Sequence, residues 1–317
     1  MFRLSRLFYA AVVALALSLT AARAGAADDA ASPFGPAPKP VESFDVGTLH
    51  VDKFGAGEQS LVLIPGLGCG PWVWHGTIAK FAPTHTVYVL TLPGFSGQPA
   101  AKERALFATV QRDFWEMLAT RKIVKPFVVG HSLGGMLAIA LAAEHPDRLS
   151  AIVAVDGLPI YPTLARLSEK ARNGVADDIA KQMTAATEAE TLANHKAYMG
   201  NTGTNRPELV EPGVTLLARS DPKAVATWMH ELIVTDLRPQ LPRVTIPMLE
   251  IMPYQPPAAG QEPGYTQEQT LGFYKSLVAG APKATVTAIT PSRHFVMLDQ
   301  PDLFYDALAK FFASVPR

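Results

Sequence analysis

The segment 130–134, with the sequence GHSLG, constrains the fold more than any other feature of this chain. It directly follows the apolar run 126–129 and precedes a helical pattern that extends from about Leu133 to Glu144. A strand that turns abruptly into a helix brings backbone segments too close for side chains, which explains the glycines that flank Ser132. The segment therefore predicts a serine held exposed at the carboxyl edge of a sheet.

Apolar runs typical of buried strands alternate with helical patterns on both sides of this segment. Before it, strands are predicted within 41–54 and at 61–64 and 87–92, and helices at 71–81 and 106–120. After it come strands at 151–155, 246–252 and 284–289, and helices at 266–278 and 302–313. This order predicts an α/β fold with a mostly parallel central sheet and helices on both faces.

The alternation stops between residues 158 and 243. Helical patterns occur there at Thr163–Arg172, Ala176–Ala186 and Ala224–Val234, without a clear strand between them. We therefore expect a helical cap at 158–243, inserted into a core formed by 41–157 and 244–317.

Apolar residues of the predicted cap have two interpretations of equal weight. They form the outer wall of a substrate pocket, with Trp228 and Met229 as the substrate-binding candidates, or they pack the cap onto the core. The set comprises Leu164, Leu167, Met183, Tyr198, Leu217, Trp228, Met229 and Leu232.

Residues 1–26 have the pattern of a secretory signal peptide. Two arginines precede an uncharged run at 7–22, and Ala24-Gly25-Ala26 forms an A-x-A cleavage site. A retained membrane anchor is the alternative, although the run is short for a span of about 20 residues. We expect cleavage before Ala27, a periplasmic or secreted protein without a stable membrane anchor after cleavage, and a flexible proline-rich leader at 27–40.

Charge and cysteine content exclude several classes of function. Lysine plus arginine and aspartate plus glutamate each total 28 residues, so no net field attracts nucleic acid. The sequence has no histidine pair at i, i+4 and no C-x-x-C motif, and therefore predicts no metal site. The single cysteine, Cys69, cannot form an intrachain disulfide. Catalysis by Cys69 is a weaker alternative to Ser132 because no cysteine-protease signature surrounds it.

His294 is the strongest candidate for the base that activates Ser132. A serine hydroxyl becomes a good nucleophile when a neighbouring base, usually a histidine, takes its proton. His294 follows the predicted strand 284–289 across a short loop, from which it can point back across the sheet edge. The other histidines lie within the segment 130–134, in the cap, or at the ends of core elements, and are weaker candidates: His50, His75, His85, His131, His145, His195 and His230.

Two backbone N–H groups are candidates for an oxyanion hole. One belongs to Leu133, which follows the candidate nucleophile, and the other to Leu67 in the glycine-rich loop at 64–70. The alternative for this loop is a turn without a ligand role. A dinucleotide-binding loop is disfavoured because the third glycine spacing and a downstream acid are missing.

With these features the chain resembles the α/β-hydrolase superfamily from about Val41 to Phe312. The stretches that carry the resemblance are LIPGLGCGPWVW, which ends at Trp74, TLPGFSG (91–97), VVGHSLGG (128–135), VDGLP (155–159) and HFVMLDQP (294–301). The resemblance implies an α/β-hydrolase fold and an esterase, lipase, lactonase or related acyl hydrolase that works without a cofactor. Relatives with an aspartate nucleophile, the dehalogenases and epoxide hydrolases, are disfavoured because this segment holds serine.

The acid that would orient His294 departs from the family's usual position. The loop after the predicted strand 246–252 contains no carboxylate, and Gln255 stands about where an aspartate is expected. Asp156 instead closes the strand next after the nucleophile strand, and it keeps the chain order serine, acid, histidine. The sequence therefore predicts Asp156 as the acid.

Two other carboxylates and a structural role are the alternatives to this assignment. Glu250 lies within a predicted strand and is expected to project away from the edge where His294 arrives, and Glu262 lies on a loop of uncertain course. Asp156 would otherwise only cap the turn into Gly157.

Three functions fit these features. The first is an exported carboxylic ester hydrolase that acts on a small-molecule acyl substrate through an acyl-enzyme on Ser132. The second is a serine hydrolase that acts on a carbon–carbon bond or a peracid. The third is a catalytically silent binding protein, suggested by the missing acid after residue 252. The sequence leaves the oligomeric state open.

Overall fold

The computed structural model describes residues 32–103, 105–258 and 264–316. Its centre is an eight-stranded sheet with the order β1-β2-β4-β3-β5-β6-β7-β8. The strands are β1 (Glu42–Val46), β2 (Leu49–Phe54), β3 (Gln59–Ile64), β4 (His85–Thr91), β5 (Phe127–His131), β6 (Ala151–Val155), β7 (Met248–Pro253) and β8 (Ala284–Ile289). The signal-peptide prediction at 1–26 lies outside the described residues.

The sheet is parallel except at one edge. Strands β4, β3, β5, β6, β7 and β8 pair in parallel, while β1 pairs with β2 and β2 with β4 in antiparallel fashion. Parallel neighbours need crossover connections, which the helices between them provide. The carboxyl ends of β5, β6 and β7 consequently lie side by side at one edge.

Core helices cover both faces of this sheet. They are α1 (His75–Phe81), α2 (Leu106–Thr120), α3 (Leu133–Glu144), α8 (Gln267–Val278), α9 (Val296–Asp299) and α10 (Pro301–Ser314). Val128 and Val129 of β5 are both fully buried and belong to different hydrophobic clusters. The cluster of Val128 includes residues of α2, α3 and α8, and that of Val129 includes residues of α1 and α10. This alternation is what a strand covered on both faces requires. The predicted α/β fold, with a mostly parallel sheet and helices on both faces, is confirmed.

Four helices lie between β6 and β7: α4 (Glu169–Ala185), α5 (Glu188–Tyr198), α6 (Val210–Leu217) and α7 (Pro222–Val234). The two separate helices predicted at Thr163–Arg172 and Ala176–Ala186 are wrong in their bounds, because a single helix α4 spans most of both. It begins after Ser168, whose hydroxyl accepts a hydrogen bond from the Ala171 N–H at 3.3 Å and so caps the helix. Helix α7 extends the predicted Ala224–Val234 by two residues.

The segment that joins α6 to α7 is fixed to two core loops at the sheet edge. Ser220 donates from its hydroxyl to the Gly68 carbonyl at 2.9 Å. The Asp221 N–H donates to the Gly94 carbonyl at 2.7 Å, and the Gly97 N–H donates to the Arg219 carbonyl at 3.0 Å. These bonds hold α6 and α7 above the loop that carries Leu67.

The described part of the chain before β1 also contacts the core. Phe34, in the segment predicted to be a flexible leader, is buried, and its ring centre lies 4.6 Å from that of Trp72. Among the described residues, no helix has the length and apolar character needed to cross a membrane.

Candidate active site

Ser132 sits at the turn between β5 and α3, in a backbone conformation that few non-glycine residues adopt. Its φ is +54° and its ψ is −116°, and its N–H donates to the Val155 carbonyl at 2.9 Å. A Cβ on Gly130 would lie 2.0 Å from the Gly134 carbonyl oxygen, and one on Gly134 would lie 2.3 Å from the Ile64 carbonyl oxygen. The glycines therefore permit the close approach that the sequence predicted around this serine.

Asp156 and His294 are in direct contact at the same edge of the sheet. His294 Nδ1–H donates to Asp156 Oδ2 at 2.5 Å, and each side chain is 15% exposed. Asp156 follows β6 with a φ of +49°, and its N–H is held by the Ile251 carbonyl of β7 at 2.9 Å. The hydrogen bond from His294 Nδ1–H to Asp156 fixes the tautomer in which the second ring nitrogen, Nε2, carries no proton and can accept one.

His131 links the serine turn to the loop that carries His294. The ring of His131, the residue before Ser132, has its centre 4.5 Å from that of His294, and His131 Nε2–H donates to the His294 carbonyl at 3.1 Å. Across the described ranges, Ser132 Oγ and His294 Nε2 are not hydrogen-bonded to each other. Such catalytic hydrogen bonds often form only when the substrate is bound.

His131 is a buried, neutral histidine rather than a second base. Burial lowers its pKa well below the ordinary value, and the neighbouring His294 lowers it further. His294 therefore stays the candidate base at this edge.

The segment between β6 and β7, which the sequence predicts to be a cap, holds the loop that carries His294. A π-helical segment, Met199–Gly203, follows α5, and its carbonyls accept from this loop: Thr202 from the His294 N–H at 3.1 Å and Gly203 from the Phe295 N–H at 2.8 Å. Asp299 adds a second link, because its carboxylate accepts from the Arg293 N–H at 2.7 Å and from the Thr204 hydroxyl. The position of the histidine therefore depends on the cap as well as on the sheet.

One candidate oxyanion donor, Leu133, directly follows Ser132, and the other, Leu67, follows Gly66, where a Cβ would lie 3.2 Å from the Ser132 Cβ. Leu133 opens α3, and first-turn N–H groups have no partner within their own helix. In the loop after β3, the Cys69 N–H closes a turn onto the Gly66 carbonyl at 3.1 Å, and Gly68 has a φ of +68°. Within the part of the chain that the structure describes, the Leu67 N–H has no hydrogen-bond partner. Both N–H groups therefore stay candidates for the oxyanion hole.

Cys69 lies in this loop but lacks the properties of a nucleophile. It is 2% exposed, and burial raises the pKa of its thiol. Thiol chemistry needs the thiolate, which this environment disfavours.

The alternative acids do not contact His294. Gln255 is exposed, and its side-chain carbonyl accepts from the Asn205 amide at 3.0 Å. Glu250 is fully buried and accepts from the Gly157 N–H at 3.3 Å. Glu262 lies outside the described residues. Among the carboxylates that the structure describes, Asp156 is therefore the one that bonds the histidine.

Of the two candidate pocket residues, Trp228 has the contacts of a packing residue. It is fully buried, its indole N–H donates to the Pro93 carbonyl at 3.1 Å, and its ring lies against Phe95 and Phe107 with centres 5.9 and 5.8 Å away. Met229 is half-buried against the same core cluster. No contact among the described residues tests the predicted substrate-binding role of either residue, and the full burial of Trp228 favours the packing alternative for that residue.

Two tyrosines lie near the site; sequence reasoning named Tyr198 only as one of the apolar residues of the predicted cap, and it did not indicate Tyr274. Tyr198, at the end of α5, places its ring edge-on to His294 with centres 6.1 Å apart. Tyr274 of α8 donates its hydroxyl proton to Asp156 Oδ1. A signal existed for Tyr274, because Tyr274, Leu277 and Val278 form the buried face of a helix, and a buried phenol usually finds a hydrogen-bond partner.

The described residues contain no cluster of three or more histidine, cysteine, aspartate or glutamate side chains that fits a metal ion. The candidate site consists of a serine, a histidine bonded to a carboxylate, and two backbone amides.

Comparison with known proteins places this arrangement in context. Residues 61–307 match the sequence model described as "Alpha/beta hydrolase family". A pimeloyl-[acyl-carrier protein] methyl ester esterase from Aeromonas hydrophila is 28% identical over 213 residues, which cover 64% of this chain and 79% of the relative. The esterase of the same name from Vibrio vulnificus is 24% identical over 269 residues, which cover 83% of this chain and 97% of the relative.

A solved structure shares the fold. The enol-lactonase from Burkholderia xenovorans superimposes with a TM-score of 0.70 at 19% identity, covering 86% of this chain and all of the other.

Proposed function

The chain belongs to the alpha/beta hydrolase family, and we propose that it hydrolyses carboxylic esters through an acyl-enzyme formed on Ser132. Membership in this family confirms three predictions from the sequence: the superfamily, the α/β-hydrolase fold and a hydrolase as the class of enzyme. The ester specificity, the catalytic roles and export are the parts that we propose.

One observation carries the proposal: the hydrogen bond from His294 Nδ1 to Asp156 Oδ2, at the sheet edge where β5 ends in Ser132. A base that activates a serine must present a free Nε2 and must tolerate a positive charge while it holds the proton. A carboxylate on the far nitrogen meets both requirements. A silent binding protein has no need of this pairing.

Acylation proceeds as follows in the proposed mechanism. Ser132 Oγ attacks the ester carbonyl carbon while His294 Nε2 takes its proton, and Asp156 stabilises the imidazolium. The carbonyl oxygen becomes an oxyanion, which accepts hydrogen bonds from the N–H groups of Leu67 and Leu133. The intermediate then collapses, and His294 gives the proton to the departing alkoxide. An alcohol leaves and the acyl group remains on Ser132.

Deacylation repeats these roles with water as the nucleophile. His294 takes a proton from water as the water oxygen attacks the acyl carbon, and the same N–H groups stabilise the second oxyanion. The bond to Ser132 Oγ breaks, His294 returns the proton to Oγ, and a carboxylic acid is released. No redox step or cofactor enters this sequence.

The similarity to two esterases supports an ester substrate over a carbon–carbon bond or a peracid. We further propose that the cap, 158–243, forms the outer wall of the acyl pocket. Its Tyr198 lies edge-on to His294, and the α6–α7 segment binds the loop of Leu67.

Export is proposed from the sequence of residues 1–26. N-terminal sequencing of the protein from a periplasmic or secreted fraction should give Ala27 as the first residue. Recovery of an intact Met1 form embedded in membrane would contradict export with cleavage.

A substrate panel combined with covalent labelling tests the proposed function. Purified protein should turn over p-nitrophenyl esters between acetate and palmitate, and a fluorophosphonate probe should label Ser132. Labelling without ester turnover would indicate a non-ester substrate. Absence of both, in protein that is folded by circular dichroism, would indicate a silent binding protein.

A further inference from the structure

Tyr274 occupies a buried position behind the candidate catalytic acid. It lies on α8, it is 9% exposed, and its hydroxyl donates to Asp156 Oδ1. The other oxygen of the same carboxylate, Oδ2, accepts from His294 Nδ1 at 2.5 Å. The carboxylate is thus bonded on one oxygen by the histidine and on the other by the tyrosine.

A carboxylate in this place needs a second anchor. Asp156 comes from the end of β6 rather than from the loop after β7, and its backbone has a φ of +49°. The terminal torsion of an aspartate is broad and roughly two-fold, so the histidine alone does not fix the plane of the carboxyl group. A hydrogen-bond donor on Oδ1 fixes this plane, because each of the two oxygens must then face its own donor.

A second carboxyl group lies nearby and lacks such a donor. Glu250 of β7 is fully buried, its Oε1 accepts from the Gly157 N–H at 3.3 Å, and its Oε2 has no partner among the described residues. Burial raises the pKa of Glu250 well above its ordinary value, and the charge of Asp156 raises it further. Asp156, by contrast, accepts hydrogen bonds on both carboxyl oxygens, from Tyr274 and from His294.

The phenol of Tyr274 is fitted to this role. Burial raises the pKa of Tyr274 well above its ordinary value, and the adjacent Asp156 raises it further. The hydroxyl consequently stays protonated and donates to the carboxylate throughout the pH range in which esterases are assayed.

We propose that Tyr274 is a positioning residue that holds Asp156 in the orientation in which its Oδ2 faces His294. The proposal rests on the proposed triad of Ser132, His294 and Asp156. In this arrangement helix α8 supplies the hydroxyl group that orients the carboxylate at the end of β6 toward the loop that carries His294.

A double-mutant cycle separates positioning from a merely structural role. Tyr274→Phe removes the hydroxyl and keeps the ring, and Asp156→Asn removes the charge that the hydroxyl serves. Tyr88→Phe is the matched control, because Tyr88 is 7% exposed in the same core cluster and its hydroxyl does not contact Asp156. The readout is the second-order rate of Ser132 labelling by a fluorophosphonate, which needs an activated serine but no particular ester.

Tyr274→Phe should slow labelling by about tenfold, as expected for loss of one hydrogen bond to a charged group. Tyr88→Phe should label at the wild-type rate. In the Asp156→Asn background, Tyr274→Phe should have no further effect, since residues that act as a unit are not additive. In proton NMR, the far-downfield signal of His294 Nδ1–H should shift in Tyr274→Phe and stay unchanged in Tyr88→Phe.

Two results for Tyr274→Phe would overturn the proposal. One is a Tyr274→Phe variant that labels as fast as Tyr88→Phe. The other is an equal slowing in both backgrounds, which would mean that Tyr274 acts on the fold and not through Asp156. If Asp156→Asn itself labels at the wild-type rate, the proposed triad fails and the role of Tyr274 fails with it. If Asp156→Asn labels slowly while Tyr274→Phe labels at the wild-type rate, the triad stands and only the role proposed for Tyr274 is contradicted.

Discussion

Asp156 Oδ2 accepts a hydrogen bond from His294 Nδ1 at 2.5 Å, although 138 residues separate them in the chain. The contact forms because β6 and β8 lie on either side of β7 in a parallel sheet, so their carboxyl ends meet at one edge. The loop after β7, which resemblance to the family marks as the usual source of the acid, supplies Gln255, and this side chain bonds Asn205 instead. The carboxylate that bonds His294 therefore comes from the end of β6, the strand next to β7.

Asp156→Asn should reduce kcat for p-nitrophenyl acetate by about 10³- to 10⁴-fold, with little change in KM. Asparagine keeps the shape of the side chain but cannot stabilise the imidazolium that forms during acylation. Glu250→Gln is the matched control, and it should keep turnover close to that of the wild type. The opposite pattern, an active Asp156→Asn and an inactive Glu250→Gln, would assign the acid to Glu250.

Glu250→Gln should also change how stability depends on pH. Above the ordinary pKa of 4.5, the unfolded chain loses the Glu250 proton while the folded chain keeps it, because burial raises the pKa of this group in the fold. The contribution of Glu250 to the free energy of unfolding therefore falls as the pH rises above about 4.5. Between pH 5 and pH 8 in urea unfolding, the free energy of unfolding of the wild type should fall relative to that of Glu250→Gln, which has no proton to lose. The same pH dependence in both proteins would mean that Glu250 is ionised in the fold.

Trp228→Ala should lower the free energy of unfolding by about 3–5 kcal/mol, the usual cost of removing a large buried aromatic side chain. It should leave the preference for acyl chain length unchanged, because Trp228 packs against Phe95 and Phe107. Met229→Ala, on the half-buried side of α7, should change the ratio of kcat/KM for butyrate and octanoate esters. If Trp228→Ala is as stable as the wild type but changes this ratio, the packing role is wrong.

The sequence predicted the strands and helices of the core closely because each carries its own local pattern. Helices α2 and α3 and strands β6 and β8 have the predicted bounds, and each is an apolar or amphipathic run that ends at a glycine, a proline or a polar turn. The serine turn was predictable for the same reason, since its glycines are demanded by backbone contacts within a few residues.

The cap was harder to predict because its patterns are weak. The single helix α4 contains Gly174, and its polar surface gives little periodicity from which to find the start after Ser168. The π-helical segment Met199–Gly203 is held by bonds to the histidine loop almost a hundred residues away, so no local pattern specifies it.

The contact of Tyr274 with Asp156 shows the limit of sequence reasoning at the site itself. The helix pattern indicates that Tyr274 is buried, but its partner is fixed by how α8 lies against the sheet. Pairing across 118 residues is a property of the packed fold.

The most direct test of the account is the hydrolysis of p-nitrophenyl acetate by purified wild type and Ser132→Ala at equal concentration. Removal of Oγ leaves the backbone donors and the binding site to assist water, so kcat should fall by several orders of magnitude while circular dichroism stays that of the wild type. Turnover by Ser132→Ala close to that of the wild type would contradict an acyl-enzyme on Ser132.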